Sequence, residues 1–214
     1  MNGRRLVSVI TPTWQRAELL AAAIQNVRLQ TYRPLEHVIV SDGDDRETAR
    51  VAVSALDCAL FSDPSRDVRV RYVPLGRNWS SFLPASFAAA PMTVGMLLAS
   101  GTYQTWLADD EWMTLDHIEG LVNALEAADA DLAYSRVRMY RNGSTPDQGY
   151  DIGTEPPELG QITNVLYRAE LLKHGLYPFG AGMTSDWACI ERWLAAGARC
   201  AFVPRVTLTH RVDH

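Results

Sequence analysis

Leu6-Val7-Ser8-Val9-Ile10-Thr11 is the first apolar, β-branched run of the chain, and the pattern behind it decides the fold. Valine, isoleucine and threonine are stiff at χ1 and pack well on a pleated surface, so the run reads as a strand. Ala17–Leu29 follows, placing Leu19, Leu20, Ala23, Ile24 and Val27 at helical spacing, which gives one apolar stripe along a helix. Pro34 cannot continue that helix, and His37-Val38-Ile39-Val40-Ser41 is a second β-branched run. Strand, helix and strand in this order form a βαβ unit, whose near-continuous apolar strands belong to a parallel sheet covered on both faces.

The alternation continues outward from this unit. Strands are expected near Val68–Val73, Tyr103–Leu107 and Leu132–Tyr140, and a helix over Leu115–Ala127 with Thr114 or Asp116 at its start. Arg141–Gly160, rich in Gly, Pro, Asp and Ser, reads as a surface loop, either a lid or a plain excursion. A strand at Gln161–Tyr167, a helix at Arg168–His174, a glycine turn at Gly180–Gly182 and a helix at Asp186–Ala196 complete the reading. At 214 residues, one domain is the default.

Composition excludes several classes. Phe82–Leu98, the longest apolar stretch, is interrupted by Pro84, Ser86, Pro91, Thr93 and Gly95, so it is no membrane span. A formal charge of −5 without a basic run argues against a nucleic-acid partner. Cys58, Cys189 and Cys200 lack metal-ligand spacing and are odd in number, so they read as free thiols. Met-Asn-Gly-Arg-Arg runs straight into the first strand with no apolar signal region, and a cytoplasmic location is expected.

Chemistry concentrates in acidic turns. Leu107-Ala108-Asp109-Asp110-Glu111 directly follows a strand. Alternation would send adjacent carboxylates to opposite faces, so three together belong where the strand has ended. In an open parallel sheet that end is where ligands bind, and clustered carboxylates there suit a hard cation such as Mn²⁺ or Mg²⁺. A solvated turn at the start of the next helix is the other reading. Val40-Ser41-Asp42-Gly43 places a second acidic turn after the second strand, although Asp-Gly turns also form for backbone reasons. No G-x-G-x-x-G or P-loop sequence is present.

Taken in order, these elements resemble family two glycosyltransferases of the GT-A fold over nearly the whole chain. Val7-Ser8-Val9-Ile10-Thr11-Pro12-Thr13-Trp14-Gln15-Arg16 is similar to that family's opening strand and Pro-Thr-Tyr-Asn-Arg. Arg28-Leu29-Gln30-Thr31-Tyr32 matches its Ser-Leu-Gln-x-Tyr, Val40-Ser41-Asp42-Gly43 its Val-Asp-Asp-Gly turn, and Gly95 through Asp110 its Gly-to-Asp-Asp run.

The resemblance implies an α/β domain with a mostly parallel sheet flanked by helices. Residues 1–111 would be its nucleotide-sugar-binding half and 112–214 its acceptor half. It also implies transfer of a sugar from a nucleoside-diphosphate sugar, with inversion, to a hydroxyl of a saccharide, lipid-linked or small-molecule acceptor. Thr11, Pro12, Thr13, Arg16, Asp42 and Asp109 would contact the donor nucleotide. Asp110 would bind Mn²⁺ or Mg²⁺, with Glu111 behind it or merely decorating a helix start. Asp186, in Thr184-Ser185-Asp186-Trp187, would be the base that takes the acceptor proton. An Asp there also suits a helix cap, and Trp187 fits an acceptor wall or the core.

Two departures are visible. Met92-Thr93-Val94-Gly95 stands where relatives carry Arg-Asn-x-Gly, leaving Arg77 or Asn78 as substitutes. Thr209-His210-Arg211-Val212-Asp213-His214 matches the family's Tyr-Arg-Val-His with a slip, making His210 or His214 a candidate further metal ligand. A pyrophosphorylase would need Gly-x-Gly-Thr-Arg after Ile10, which is absent. A non-catalytic nucleotide-sugar-binding module is the remaining alternative, opposed by the retained Asp110 and Asp186.

Overall fold

Strand β1, Val7–Thr13, lies in the middle of a parallel group and is buried except at Pro12. It pairs with β2, Leu35–Ser41, from Val7↔Leu35 to Thr13↔Ser41, and with β4, Tyr103–Trp106. β3, Val68–Pro74, lies beyond β2, also parallel. This computed structural model describes residues 3–59 (side chains of 57–59 excepted), 68–83, 88–141, 143–159, 162, 164–180 and 185–212.

The second half builds a mixed sheet onto β4. After β5, Glu111–Met113, and helix α5, His117–Ala127, come β6, Leu132–Arg141, β7, Tyr150–Ile152, β8, Leu166–Arg168, and β9, Cys200–Val212. Among the described residues the order is β3-β2-β1-β4-β8-β6-β9-β5, with β7 beside β6 in a nine-stranded sheet. β8 runs antiparallel to both β4 and β6, whereas β9 runs parallel to β6. The helix-flanked α/β sheet read from the sequence is therefore present, and its parallel character is concentrated in β1 to β4.

Strand alternation sorts the core into two layers. Val7 and Val9 face α1, Ala17–Leu29, and α5, contributing with Ala23, Val27, Leu121 and Leu125 to one cluster. Ile10, Val38 and Val40 face the other way, onto Met92 and Met96 of α4, Ala89–Leu98, and belong to one cluster with Trp193 of α6, Ser185–Ala195. Leu20 and Ile24 of α1 close a third cluster with Ala52 and Ala55 of α2, Arg46–Ala59. A short helix α3, Trp79–Phe82, precedes α4.

Several expectations change. Gln161–Tyr167 becomes a shorter strand starting at Leu166, with Gln161 and Thr163 outside the described residues, and Arg168–His174 is a 3₁₀ helix over Ala169–His174. Arg141–Gly160 is not bare loop: β7 pairs with β6, and the Tyr134 hydroxyl donates to the Thr154 carbonyl at 2.7 Å. β9 was not foreseen because it is half-buried over most of its length and interrupted by Pro204 and Arg205, so it lacks clean alternation.

Gly95 explains how closely α4 approaches β1. A Cβ there would lie 2.4 Å from Ile10 Cγ2. Alanine improves helix propensity by about 1 kcal/mol, but overpacking costs about 1–3 kcal/mol. Gly95→Ala is therefore expected to lower stability by up to about 2 kcal/mol in chemical denaturation.

Candidate active site at the carboxyl edge of the sheet

β1, β2 and β4 end on the same edge, and the acidic turns follow directly. At the end of β1 the chain turns through Gln15, whose φ of 51° lies in the left-handed region, before Arg16 and α1. Thr13, the last residue of β1, donates from its hydroxyl to Asp109 Oδ2 at 2.8 Å. Arg16 Nη1 contacts Asp109 Oδ1 at 3.1 Å and Asp110 Oδ2 at 2.8 Å. Burial raises the Asp109 pKa; the Thr13 hydroxyl and Arg16 charge oppose this without cancelling it.

Asp42 stands one residue beyond β2, buried, and its N–H donates to the Thr13 carbonyl at 2.8 Å. Its carboxylate accepts from the backbone N–H groups of Trp79, at 2.8 Å, and Ser80, at 3.0 Å, fastening α3 to the site. A carboxylate has about four lone-pair positions, so further donors can still be accepted. Gly43, at φ 130°, is held so close to Trp14 that a Cβ would meet the indole at 2.3 Å.

Thr11 differs from Thr13 in its setting. It lies two residues deeper in β1, fully buried, with its hydroxyl 2.8 Å from His37 Nε2. Its side chain faces the sheet interior and does not line the edge. Asn78 is likewise engaged, capping α3 by accepting from the Ser81 N–H at 2.7 Å. Arg77 is exposed and stacks over Trp79 and Phe82.

β5 brings in the far end of the chain. It pairs antiparallel with β9, setting Glu111 opposite His210. Glu111 Oε2 accepts from the Ala108 N–H at 2.9 Å, and Oε1 lies 3.0 Å from His210 Nδ1. A carboxylate can only accept, so the Nδ1 proton points to Glu111 and Nε2 remains for another partner. Burial alone would lower the His210 pKa, but the Glu111 hydrogen bond and the charges of Glu111, Asp110 and Asp186 outweigh it and raise it. His214 lies outside the described residues.

Asp186 belongs to the first turn of α6 and not to its cap position, because the helix already includes Ser185; Thr184 is outside the described residues. Its Oδ1 accepts from the Trp187 N–H at 2.8 Å. Burial pushes its carboxyl up to about 6, with Glu111 adding to the rise and the Trp187 N–H and His210 opposing it. Burial likewise raises the Tyr177 phenol, with Asp186 and Glu111 adding to the shift. Trp187 packs partly against the core under this edge.

The donor chemistry suits a hard divalent ion. Among the described residues no three His, Cys, Asp or Glu groups form a ready cage. An ion shared with substrate phosphates needs only one or two protein ligands, and a cation, Arg16, already bridges Asp109 and Asp110.

Two polar residues, Asn26 within α1 and Gln30 at its C-cap, hold this assembly. Asn26, in its apolar stripe, donates to the Met113 carbonyl and accepts from the Met113 N–H, both at 2.9 Å. Gln30, quoted above within a motif but given no role, donates to the Thr114 carbonyl at 2.8 Å and accepts from the Ile118 N–H at 3.2 Å. The signal for Asn26 in the sequence is a polar residue on the buried side of a helix.

An α/β sheet with clustered carboxylates at its carboxyl edge is the architecture of GT-A proteins. Solved structures agree: Staphylococcus aureus TarS residues 1–349 in complex with UDP superimposes with a TM-score of 0.71 at 16% identity, over 96% of this chain and 60% of that one. The mannosyltransferase PcManGT from Pyrobaculum calidifontis, in complex with GDP-Man and Mn²⁺, gives 0.70 at 17%, over 98% and 57%. The sequence model of Glycosyl transferase family 2 matches residues 8–183, and the chain belongs to that family. Glycosyltransferase GlyA of Streptococcus pneumoniae is 28% identical over 127 residues, 59% of this chain and 16% of GlyA. The putative colanic acid biosynthesis glycosyl transferase WcaA of Escherichia coli is 32% identical over 114 residues, 52% of this chain and 35% of WcaA. The chain thus spans a minor part of these relatives. Among the described residues no helix is long and apolar enough to cross a membrane.

Two outcomes are expected here. Asn26→Ala leaves both polar groups of Met113 without their side-chain partner in a buried setting, and denaturation should show a loss of about 2 kcal/mol or more. For Asp186, the folded protein holds its proton to about 6, above the ordinary 3.8. Wild-type stability should therefore fall as pH rises from about 4 to 6, by at most about 3 kcal/mol from this group. Asp186→Asn should remove that slope and melt higher than wild type at pH 7–8, with the two converging near pH 4.

Proposed function

We propose that the chain is an inverting, metal-assisted glycosyltransferase that moves a sugar from a nucleoside-diphosphate sugar to an acceptor hydroxyl. The observation that carries this reading is the convergence of charge at one sheet edge: the adjacent Asp110 and Glu111, then Asp186, then His210 come from three separate stretches of chain, with Glu111 Oε1 3.0 Å from His210 Nδ1 and all three carboxylates acting on the imidazole. Family membership and two structural neighbours solved with UDP or with GDP-Man and Mn²⁺ support it.

In this reading Pro12, Thr13, Arg16, Asp42 and Asp109 hold the donor nucleotide, and Asp110 with His210 holds Mn²⁺ or Mg²⁺. A bound ion would neutralise charge developing on the departing diphosphate. Glu111, holding the Nδ1 proton of His210, fixes the tautomer that offers Nε2. Residues 1–111 supply the donor half and 112–214 the acceptor half, with the base and His210 contributed by the second. Saccharides, lipid-linked sugars and small molecules all provide the hydroxyl this chemistry requires.

Asp186 removes the acceptor proton as the new C–O bond forms and the bond to the diphosphate breaks on the opposite face. A carboxyl held near 6 is ionised at neutral pH yet is a stronger base than an ordinary aspartate. Transfer should therefore fall as pH drops through about 6. Asp186→Asn keeps shape and the Trp187 contact, so donor binding should persist while transfer drops by about 10²-fold or more. Asp110→Ala should abolish transfer and remove the metal dependence of nucleotide binding. NMR coupling constants of the product report its anomeric configuration; retention, or near-normal turnover by Asp186→Asn, would overturn the mechanism.

A further inference from the structure

Arg16 reaches both members of the Asp109-Asp110 pair from a single nitrogen, Nη1. The three side chains differ in access: Arg16 is 45% exposed, Asp110 14% and Asp109 5%. The carboxylates are built into the edge, and the cation is the partner that can leave. Asp109 does not depend on Arg16 alone, since the Thr13 hydroxyl also holds it. Arg16 itself is nearly half exposed, so solvent screens its contact with Asp110, and Asp109 keeps the Thr13 hydroxyl when the guanidinium moves; folding alone is a poor explanation of the bridge to Asp110.

Its chemistry suits exchange. A divalent ion on Asp110 would stand within a few ångströms of the guanidinium, and two such cations repel. The guanidinium would then need another anion, and its planar fork matches phosphate oxygens. Arg16 lies just ahead of α1, and its side chain makes no cap to the helix, so the helix end does not hold the guanidinium.

We propose that Arg16 is a built-in counter-cation that competes with the divalent ion for Asp110 and, once displaced, engages the donor diphosphate, so that ion and donor bind well only together. This rests on Asp110 being the metal-holding carboxylate. The exchange makes the site self-neutralising, and it couples the ion to the donor through a residue that need not touch the ion.

The test is binding, not turnover. Mn²⁺ affinity is measured by EPR without nucleotide, and UDP and GDP affinities by calorimetry with saturating Mn²⁺, for wild type, Arg16→Gln, Arg16→Ala, Arg16→Lys, Asp110→Asn and Arg16→Gln combined with Asp110→Asn. Circular dichroism checks that each is folded. Arg16→Gln and Arg16→Ala should bind Mn²⁺ alone about three- to tenfold more tightly than wild type, and Arg16→Lys, which keeps the charge, should stay close to wild type. The same neutral variants should bind the nucleotide with Mn²⁺ more weakly, an opposite sign that a purely structural bridge would not produce. Unchanged or weaker Mn²⁺ binding in both neutral variants, with Asp110→Asn still abolishing it, overturns the exchange and leaves the metal assignment standing. Tighter Mn²⁺ binding with unchanged nucleotide affinity overturns the transfer of Arg16 to the diphosphate. Mn²⁺ affinity indifferent to Asp110→Asn in both backgrounds overturns the metal assignment, and the exchange with it.

Discussion

Asp109 is a carboxylate held almost out of water at the rim of the sheet, and the rest of the site is arranged around that constraint. Burial disfavours its charge, so it must be met by hydrogen-bond donors. The Thr13 hydroxyl and Arg16 meet it from the end of β1 and the start of α1. This ties the turn after β4 to the turn after β1 and fixes where Asp110 and Glu111 fall. The same edge is fastened to β2 by the Asp42 N–H on the Thr13 carbonyl, and α3 is fastened in turn by the Asp42 carboxylate.

A second restraint works from the opposite layer. α1 packs on the sheet through Ala23, Val27 and their neighbours, yet it carries Asn26 on its buried side and Gln30 at its C-cap, where they pair with backbone groups of β5 and the segment beyond. β5 is three residues long and could not hold its register through apolar contacts alone. With β5 pinned, β9 pairs to it, and His210 is delivered to Glu111 from nearly the far end of the chain. Asp186 arrives separately on α6, which is anchored below by Cys189, Ile190 and Trp193.

Much of this could be read beforehand. β-branched runs at Leu6–Thr11 and His37–Ser41, with the amphipathic segment between them, specify a βαβ unit because each side chain has one packed environment that suits it. The acidic turns at Asp42 and Asp109–Glu111 were legible as edge features, since adjacent carboxylates cannot share one face of a continuing strand. The rest was not legible for physical reasons. Thr11 and Thr13 share one family motif around Pro12, but two residues along a strand separate their side chains by about 7 Å, and the Thr11 hydroxyl meets His37. β9 and β7 escaped notice because half-exposed strands lose the contrast on which alternation depends.

The sequence by itself determined the parallel sheet, the helices that cover it and the identity of the acidic residues at its edge. These are local matters of periodicity, β-branching and turn chemistry. Which carboxylates share a neighbourhood was decided only by the tertiary structure. The pairing of Glu111 with His210 across 99 positions, the raised pKa of Asp186 and the bridge from Arg16 to Asp109 and Asp110 arise from strand order and from burial away from water. No local pattern encodes either, because distance through space and exclusion of solvent exist only once the sheet has closed its order and the helices have covered it.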